Sequence, residues 1–124
     1  MHVLLVESDP VIANSLIGFM NNQSMTVGVA SSAQDAIAQC DATLPDVIVL
    51  DTALTGHSGI EFLHEFRSYH EWSHVPVVVW SMQQVTHTQQ QALQRLGVSV
   101  VLYKPKTTLQ HLAQQLQTFQ PAHA

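Results

Sequence analysis

Charge is scarce in this chain: four Lys and Arg and nine Asp and Glu among 124 residues, 10% in all, with a formal net charge of −5. So few cations cannot build the basic stripe that tracks a phosphate backbone, and nucleic acid is excluded as a partner of this segment. Cys40 is the sole cysteine. An internal disulfide is therefore impossible, a reducing compartment fits, and the thiol is expected to act as a small buried hydrophobe. Long apolar runs are absent as well. The opening Met1-His2-Val3-Leu4-Leu5-Val6 is cut off by Glu7, with no basic residue before it. Neither a membrane span nor a secretory leader is expected, and the cytoplasm is the default compartment. The turn that follows, Glu7-Ser8-Asp9-Pro10, lacks glycine and carries two acids. It would repel a phosphate where flavin- and nucleotide-binding doubly wound domains cradle one, which removes that class.

What the chain does have is apolar material, 46% of its residues, at a length that suits one core and is too short for two. Glutamine supplies much of the polar coat (Gln89, Gln90, Gln91, Gln94, Gln110, Gln114, Gln115, Gln117). Five short runs read as strands: Val3 to Val6, Met25 to Ala30, Val47 to Leu50, Val77 to Trp80 and Val98 to Tyr103. Each is followed by a helical pattern. Asp9-Pro10 opens the first, where a carboxylate can cap free N–H groups and proline suits the first helical position. Ser32 opens the second, and Ser58-Gly59-Ile60-Glu61 has the form of a capping box for the third. The polar stretch 83–91 leads into a fourth helix carrying Ala92, Leu93 and Leu96 and closed by Gly97. Leu109, Leu112, Leu116 and Phe119 mark the fifth. Alternating strands and helices imply an α/β fold of three layers, a doubly wound parallel sheet of the flavodoxin-like (βα)5 type with strand order 2-1-3-4-5. Residues 1–119 form the domain, and 120–124 are read as a tail or the start of a linker.

The central stretch is Pro45-Asp46-Val47-Ile48-Val49-Leu50-Asp51, an apolar run ending at a carboxylate ahead of Gly56 and Gly59. In open parallel sheets ligands gather at the carboxyl ends of the strands. In this fold strands one, three, four and five end at Glu7, Asp51, Ser81 and Lys104, so two carboxylates, a hydroxyl and an ammonium share one rim. Such a set can hold a dianionic group on Asp51, with the second acid helping to bind Mg²⁺ and Ser81 and Lys104 touching phosphoryl oxygens. A rival motif is His70-Glu71-Trp72-Ser73-His74, which has the H-E-x-x-H spacing of zinc peptidases. That chemistry needs both histidines on one continuous helix, and Pro76 with a valine-rich strand follows too soon, so a polar loop is expected there instead.

On Glu7, Leu50-Asp51 ahead of a Gly-x-x-Gly turn, Ser81 and Lys104-Pro105, the chain resembles a response-regulator receiver domain of two-component signalling over nearly its whole length. The resemblance implies Asp51 as phosphoacceptor, Mg²⁺ held by Glu7, Asp51 and the main-chain carbonyl of Ala53, Ser81 as the switch hydroxyl and Lys104 as the phosphoryl-binding lysine. It implies a sensor histidine kinase or phosphotransfer protein as donor. It also implies an effector or a second copy meeting the face of helix four, strand five and helix five, and no enzymatic apparatus of the domain's own. Departures from the family pattern are informative. Ser8 stands where a second acid is usual, leaving Asp9 as the nearest substitute and also as the natural helix cap. Met82 replaces a small residue beside the pocket. Val101 occupies the place of an aromatic that reports phosphorylation, and Tyr103 shares its strand face by period-two parity. Thr55 and His57-Ser58 are changes expected to be tolerated. The alternative is a receiver-like interaction module whose response no longer depends on phosphate, either standing alone or leading a longer regulator.

Overall fold

Val, Ile and Leu runs this short bury their side chains only by lying next to one another, and all five do so in parallel. The computed structural model describes residues 1–54 and 57–119. Its strands are β1 (His2–Val6), β2 (Thr26–Ala30), β3 (Val47–Leu50), β4 (Val77–Ser81) and β5 (Val98–Tyr103), hydrogen-bonded in the order β2-β1-β3-β4-β5. The helices are α1 (Pro10–Met20), α2 (Ala33–Ala42), α3 (Gly59–Ser68), α4 (His87–Arg95) and α5 (Leu109–Gln117). The flavodoxin-like order expected from the sequence is the one observed. A short antiparallel ribbon joining Ala53–Leu54 to His57–Ser58 is added at the sheet's carboxyl edge.

The period of two sorts the strand residues into two cores. Val3, Leu5, Val47, Val49, Val78 and Trp80 pack under α1 and α5, against Leu16, Met20, Leu112 and Leu116. Leu4, Val6, Ile48, Leu50, Val77 and Val79 pack under α2, α3 and α4, against Ala36, Cys40, Phe62, Phe66 and Leu93. β3 and β4 are buried along their whole length, as a strand covered on both faces must be. Cys40 is buried in the second core, and burial pushes its thiol up to about 11.

Every helix starts on a side-chain oxygen that accepts from a backbone N–H of its first turn: Asp9, Ser32, Ser58, Thr86 and Thr108. Thr86 explains why α4 begins at His87, inside a stretch that reads from sequence as polar lead-in. Its hydroxyl accepts from Gln89 N, and the Gln89 side chain accepts from Thr86 N, a reciprocal box that compensates for the weak apolar pattern. Gly97, at φ +78°, ends that helix in a conformation that other residues resist. Gly59 is required for space: a Cβ there would meet the Asp51 carbonyl oxygen and lie 2.8 Å from Thr52 Cα. Gly56, Thr55 and the tail 120–124 lie outside the described residues.

The segment expected to be a polar loop after α3 is partly core. His70–Trp72 is a 3₁₀ turn, and Trp72 is buried with its ring 5.3 Å from that of Phe66 and 4.5 Å from that of Tyr69. Because α3 stops at Ser68, His70 and His74 do not share a helix. Arg67 secures this corner. Its guanidinium donates to the carbonyls of Leu96, Trp72, Ser73 and Gly97, tying the end of α4 to the turn after α3. Its partial burial lowers the guanidinium pKa. The contacts to Ser73 and Gly97 are exposed and can be replaced by water, whereas those to Leu96 and Trp72 are partly sheltered. Arg67→Met should therefore cost about 1.5 kcal/mol. The measurement is a lower urea midpoint at unchanged slope.

Candidate functional site

Among the described residues, the buried polar or charged residues are Glu7, Asp51, Ser81 and Lys104. All four stand at or just past the carboxyl ends of strands, since parallel pairing sets Val6 level with Leu50 and Ser81 level with Tyr103. Each strand end must turn there, so the first polar residue after an apolar run is left at the rim.

Lys104 joins the two acids. Its Nζ donates to Glu7 Oε1 at 2.5 Å and to Asp51 Oδ2 at 2.9 Å, across 97 and 53 residues of sequence. The remaining oxygens are held by the backbone: Glu7 Oε2 accepts from Asp9 N at 3.2 Å, and Asp51 Oδ1 from Ala53 N at 2.9 Å. One ammonium between two carboxylates leaves a net negative charge among buried side chains. Burial accordingly pushes the Glu7 carboxyl above its ordinary value. The Lys104 hydrogen bond, the Asp9 N–H and the Lys104 charge pull it down, and the Asp51 charge adds to the rise.

Ser81 meets neither acid in a hydrogen bond. Its hydroxyl lies 3.1 Å from Thr52 Oγ1 and accepts from Gln83 N. Thr52, one residue past Asp51, has no spacing in the sequence that marks it for this contact. Trp80 is the other unanticipated neighbour, with its ring centroid 5.0 Å from Lys104 Nζ. Val101 and Tyr103 share a hollow with Gln83, Gln84, Val85 and Gln90 on the α4 side. Met82 is exposed at the edge of α1. The Asp9 carboxylate caps α1, with Oδ1 accepting from Val11 N and Ile12 N.

The donor set can be weighed against Mg²⁺, which accepts one or two protein carboxylates and keeps several waters. Glu7 and Asp51 supply those carboxylates, with the Ala53 main chain alongside. No cluster of three or more His, Cys, Asp or Glu side chains able to hold a metal occurs among the described residues. Ser8 stands where the family pattern has an acid, and Lys104 already opposes both carboxylates. The residues fit a largely hydrated ion held by few ligands.

An open doubly wound sheet with its buried charges gathered at the carboxyl edge defines an α/β domain of the flavodoxin-like class, built to work at its strand ends. The chain belongs to the response regulator receiver domain family, whose sequence model matches residues 3–117. That places it in two-component signal transduction. It is 35% identical over 80 residues to the KDP operon transcriptional regulatory protein KdpE of Escherichia coli, covering 64% of this chain and 34% of KdpE. Like KdpE, two other transcriptional regulators it matches are spanned by it to about a third of their length or less. Chemotaxis protein CheY4 of Vibrio cholerae superposes with a TM-score of 0.87 at 21% identity, over 96% of this chain and 98% of CheY4. The Mn²⁺-bound form of response regulator Rcp1 does so with a TM-score of 0.80 at 20% identity, over 95% and 92% of the two chains. At these identities the superpositions show the fold. Among the described residues no helix is long and apolar enough to cross a membrane.

Proposed function

We propose that residues 1–119 accept a phosphoryl group on Asp51 from a histidine kinase or phosphotransfer protein of the cytoplasm and switch partner binding in response. One observation carries this reading: the buried polar residues of the described chain are Glu7, Asp51, Ser81 and Lys104, at one sheet edge, with Lys104 bonded to both acids. Burying that charge opposes folding, and groups retained at such a cost point to a working site.

In the transfer, an Asp51 carboxylate oxygen forms a bond to phosphorus as the bond from phosphorus to the donor imidazole nitrogen breaks. Lys104 moves its hydrogen bonds from carboxylate to phosphoryl oxygen, and Ser81 exchanges Thr52 for another. Mg²⁺, when bound through Glu7, Asp51 and the Ala53 carbonyl, supplies neutralising charge to the transferring group. Release of Ser81 from Thr52 and Gln83 alters the β4–α4 turn, beside which Val101 and Tyr103 lie. This couples the site to the face of α4, β5 and α5, where an effector or a second copy would bind. Incubation with acetyl phosphate and MgCl₂ should add the mass of one phosphoryl group, and Asp51→Asn should add none. No addition with any donor would overturn the reading.

A second reading, an interaction module independent of phosphate, is favoured by one feature: Ser8 leaves the carboxylate pair without a third acid, and Lys104 already neutralises part of it. Under it, acetyl phosphate leaves the chain unmodified while Ser8→Asp restores both Mg²⁺ affinity and modification.

A further inference from the structure

Ser81 is the most deeply buried of the four rim residues, at 1% exposure. Its hydroxyl is the middle of a short chain: Gln83 N donates to Ser81 Oγ at 3.1 Å, and Ser81 Oγ lies 3.1 Å from Thr52 Oγ1. A hydroxyl has one proton to give, and a buried one is not left without an acceptor. Gln83 already uses Ser81 as an acceptor, so the Ser81 proton goes to Thr52 Oγ1. The half-buried Thr52 hydroxyl keeps its own proton for solvent. Thr52 itself is a fixed post. Its carbonyl accepts from Gly59 N at 2.8 Å, and the start of α3 presses so closely that a Cβ on Gly59 would lie 2.8 Å from Thr52 Cα. Ser81 and Gln83, by contrast, belong to the end of β4 and the turn that leads to α4. The pair therefore parts by movement on the β4 side, and parting also weakens the bond from Gln83 N, because hydrogen bonds in a chain support one another.

We propose that Thr52 is a positioning residue for phosphoryl transfer, whose hydroxyl holds the Ser81 O–H until a phosphoryl oxygen outcompetes it. This rests on Asp51 being the phosphoacceptor. No proton is transferred in the exchange: the O–H bond of Ser81 stays intact, its acceptor changes from Thr52 Oγ1 to a phosphoryl oxygen, and solvent takes the place vacated at Thr52. A charged phosphoryl oxygen is the stronger acceptor, so the exchange runs forward once the group reaches Asp51. The bond to Thr52 opposes it and sets how readily Ser81 responds. The residue after the phosphoacceptor thus biases the resting state through β4, without touching the reacting atoms.

The test is the rate at which acetyl phosphate with MgCl₂ modifies the whole chain, followed by mass. Thr52→Val keeps the branched shape and removes the acceptor, so it should be modified about fivefold faster, the factor that corresponds to one neutral hydrogen bond. Thr52→Ser supplies the acceptor again and should return the rate to within about twofold of the parent. Ser81→Ala should be slowed about tenfold by loss of a donor to the phosphoryl group. In that background Thr52→Val should change the rate by less than about twofold, since there is no hydroxyl left to release. A Thr52→Val chain modified no faster than the parent, or a gain that persists without Ser81, would overturn the inference and leave the phosphoryl reading intact. Absence of modification in every chain, the parent included, would overturn both.

Discussion

Lys104→Met should destabilise the domain by about 3–5 kcal/mol at about pH 8, the cost of leaving buried carboxylates without their partner. In the parent chain one ammonium serves Glu7 and Asp51 together. Methionine fills much of the same volume, so the loss is electrostatic and not a cavity. Without Lys104 the two buried acids repel, and the influences that hold the Glu7 carboxyl down are mostly gone, leaving burial and the Asp51 charge to raise it further. A carboxyl whose folded pKa lies above its unfolded value lends stability that is complete below the unfolded pKa and lost as pH rises through the folded one. The deficit should therefore be small at about pH 5 and full at about pH 8. Urea melts at both pH values are the measurement, and an equal deficit at both would refute the account. MgCl₂ should rescue the variant more than it stabilises the parent, because the ion no longer competes with an ammonium. Modification by acetyl phosphate should fall together with stability at high pH and stay low after rescue, since Lys104 is the group that would hold a phosphoryl oxygen.

Glu7→Gln works in the other direction. The Glu7 carboxyl is raised chiefly by burial, so its ionisation opposes folding once the pH passes the folded value. Glutamine removes that charge and leaves Lys104 and Asp51 as a balanced pair. The variant should be more stable than the parent by about 2 kcal/mol at about pH 8, the scale on which buried unbalanced charge is penalised. At about pH 4, where Glu7 is protonated in the parent, the advantage should vanish. Part of the gain is offset because the new amide N–H₂ faces either Lys104 or the Asp9 N–H, both donors. Mg²⁺ affinity should drop about tenfold or more through loss of one carboxylate ligand. Greater stability with poorer metal binding is the expected signature of residues kept for use and not for the fold. Chemical denaturation across pH, with calorimetric Mg²⁺ titration, reads both halves; a variant no more stable at high pH would sink the idea.

Much of this site could be found from the order of residues alone, for a definite reason. A strand buried on both faces must be continuously apolar, so its end is marked by the first polar residue, and the parallel topology brings all the carboxyl ends to one edge. Glu7, Asp51, Ser81 and Lys104 stand out in that way from the order of residues. Helix starts are equally local: Asp9, Ser32 and Ser58 are recognisable because a cap depends on neighbours two or three residues on. The Thr86–Gln89 box is harder to read, because a glutamine-rich stretch carries no apolar stripe to mark a helix there.

Other features have no local signature. Arg67 reaches Leu96 and Gly97, about thirty residues away. Trp72 joins the core only because the 3₁₀ turn carries it over Phe66. The neighbours of Lys104 are set by its rotamer and by which strands pair, so no spacing predicts that it bridges both acids and lies beside Trp80. Thr52 engages Ser81 only once β3 and β4 are side by side. Sequence by itself determined the alternation of elements, their faces and the four rim residues, since these follow from periodicity and from where apolar runs stop. Tertiary structure alone decided which rim groups touch, how their charges balance, and that Ser81 is tied to Thr52, because those depend on distances between segments the chain brings together only on folding.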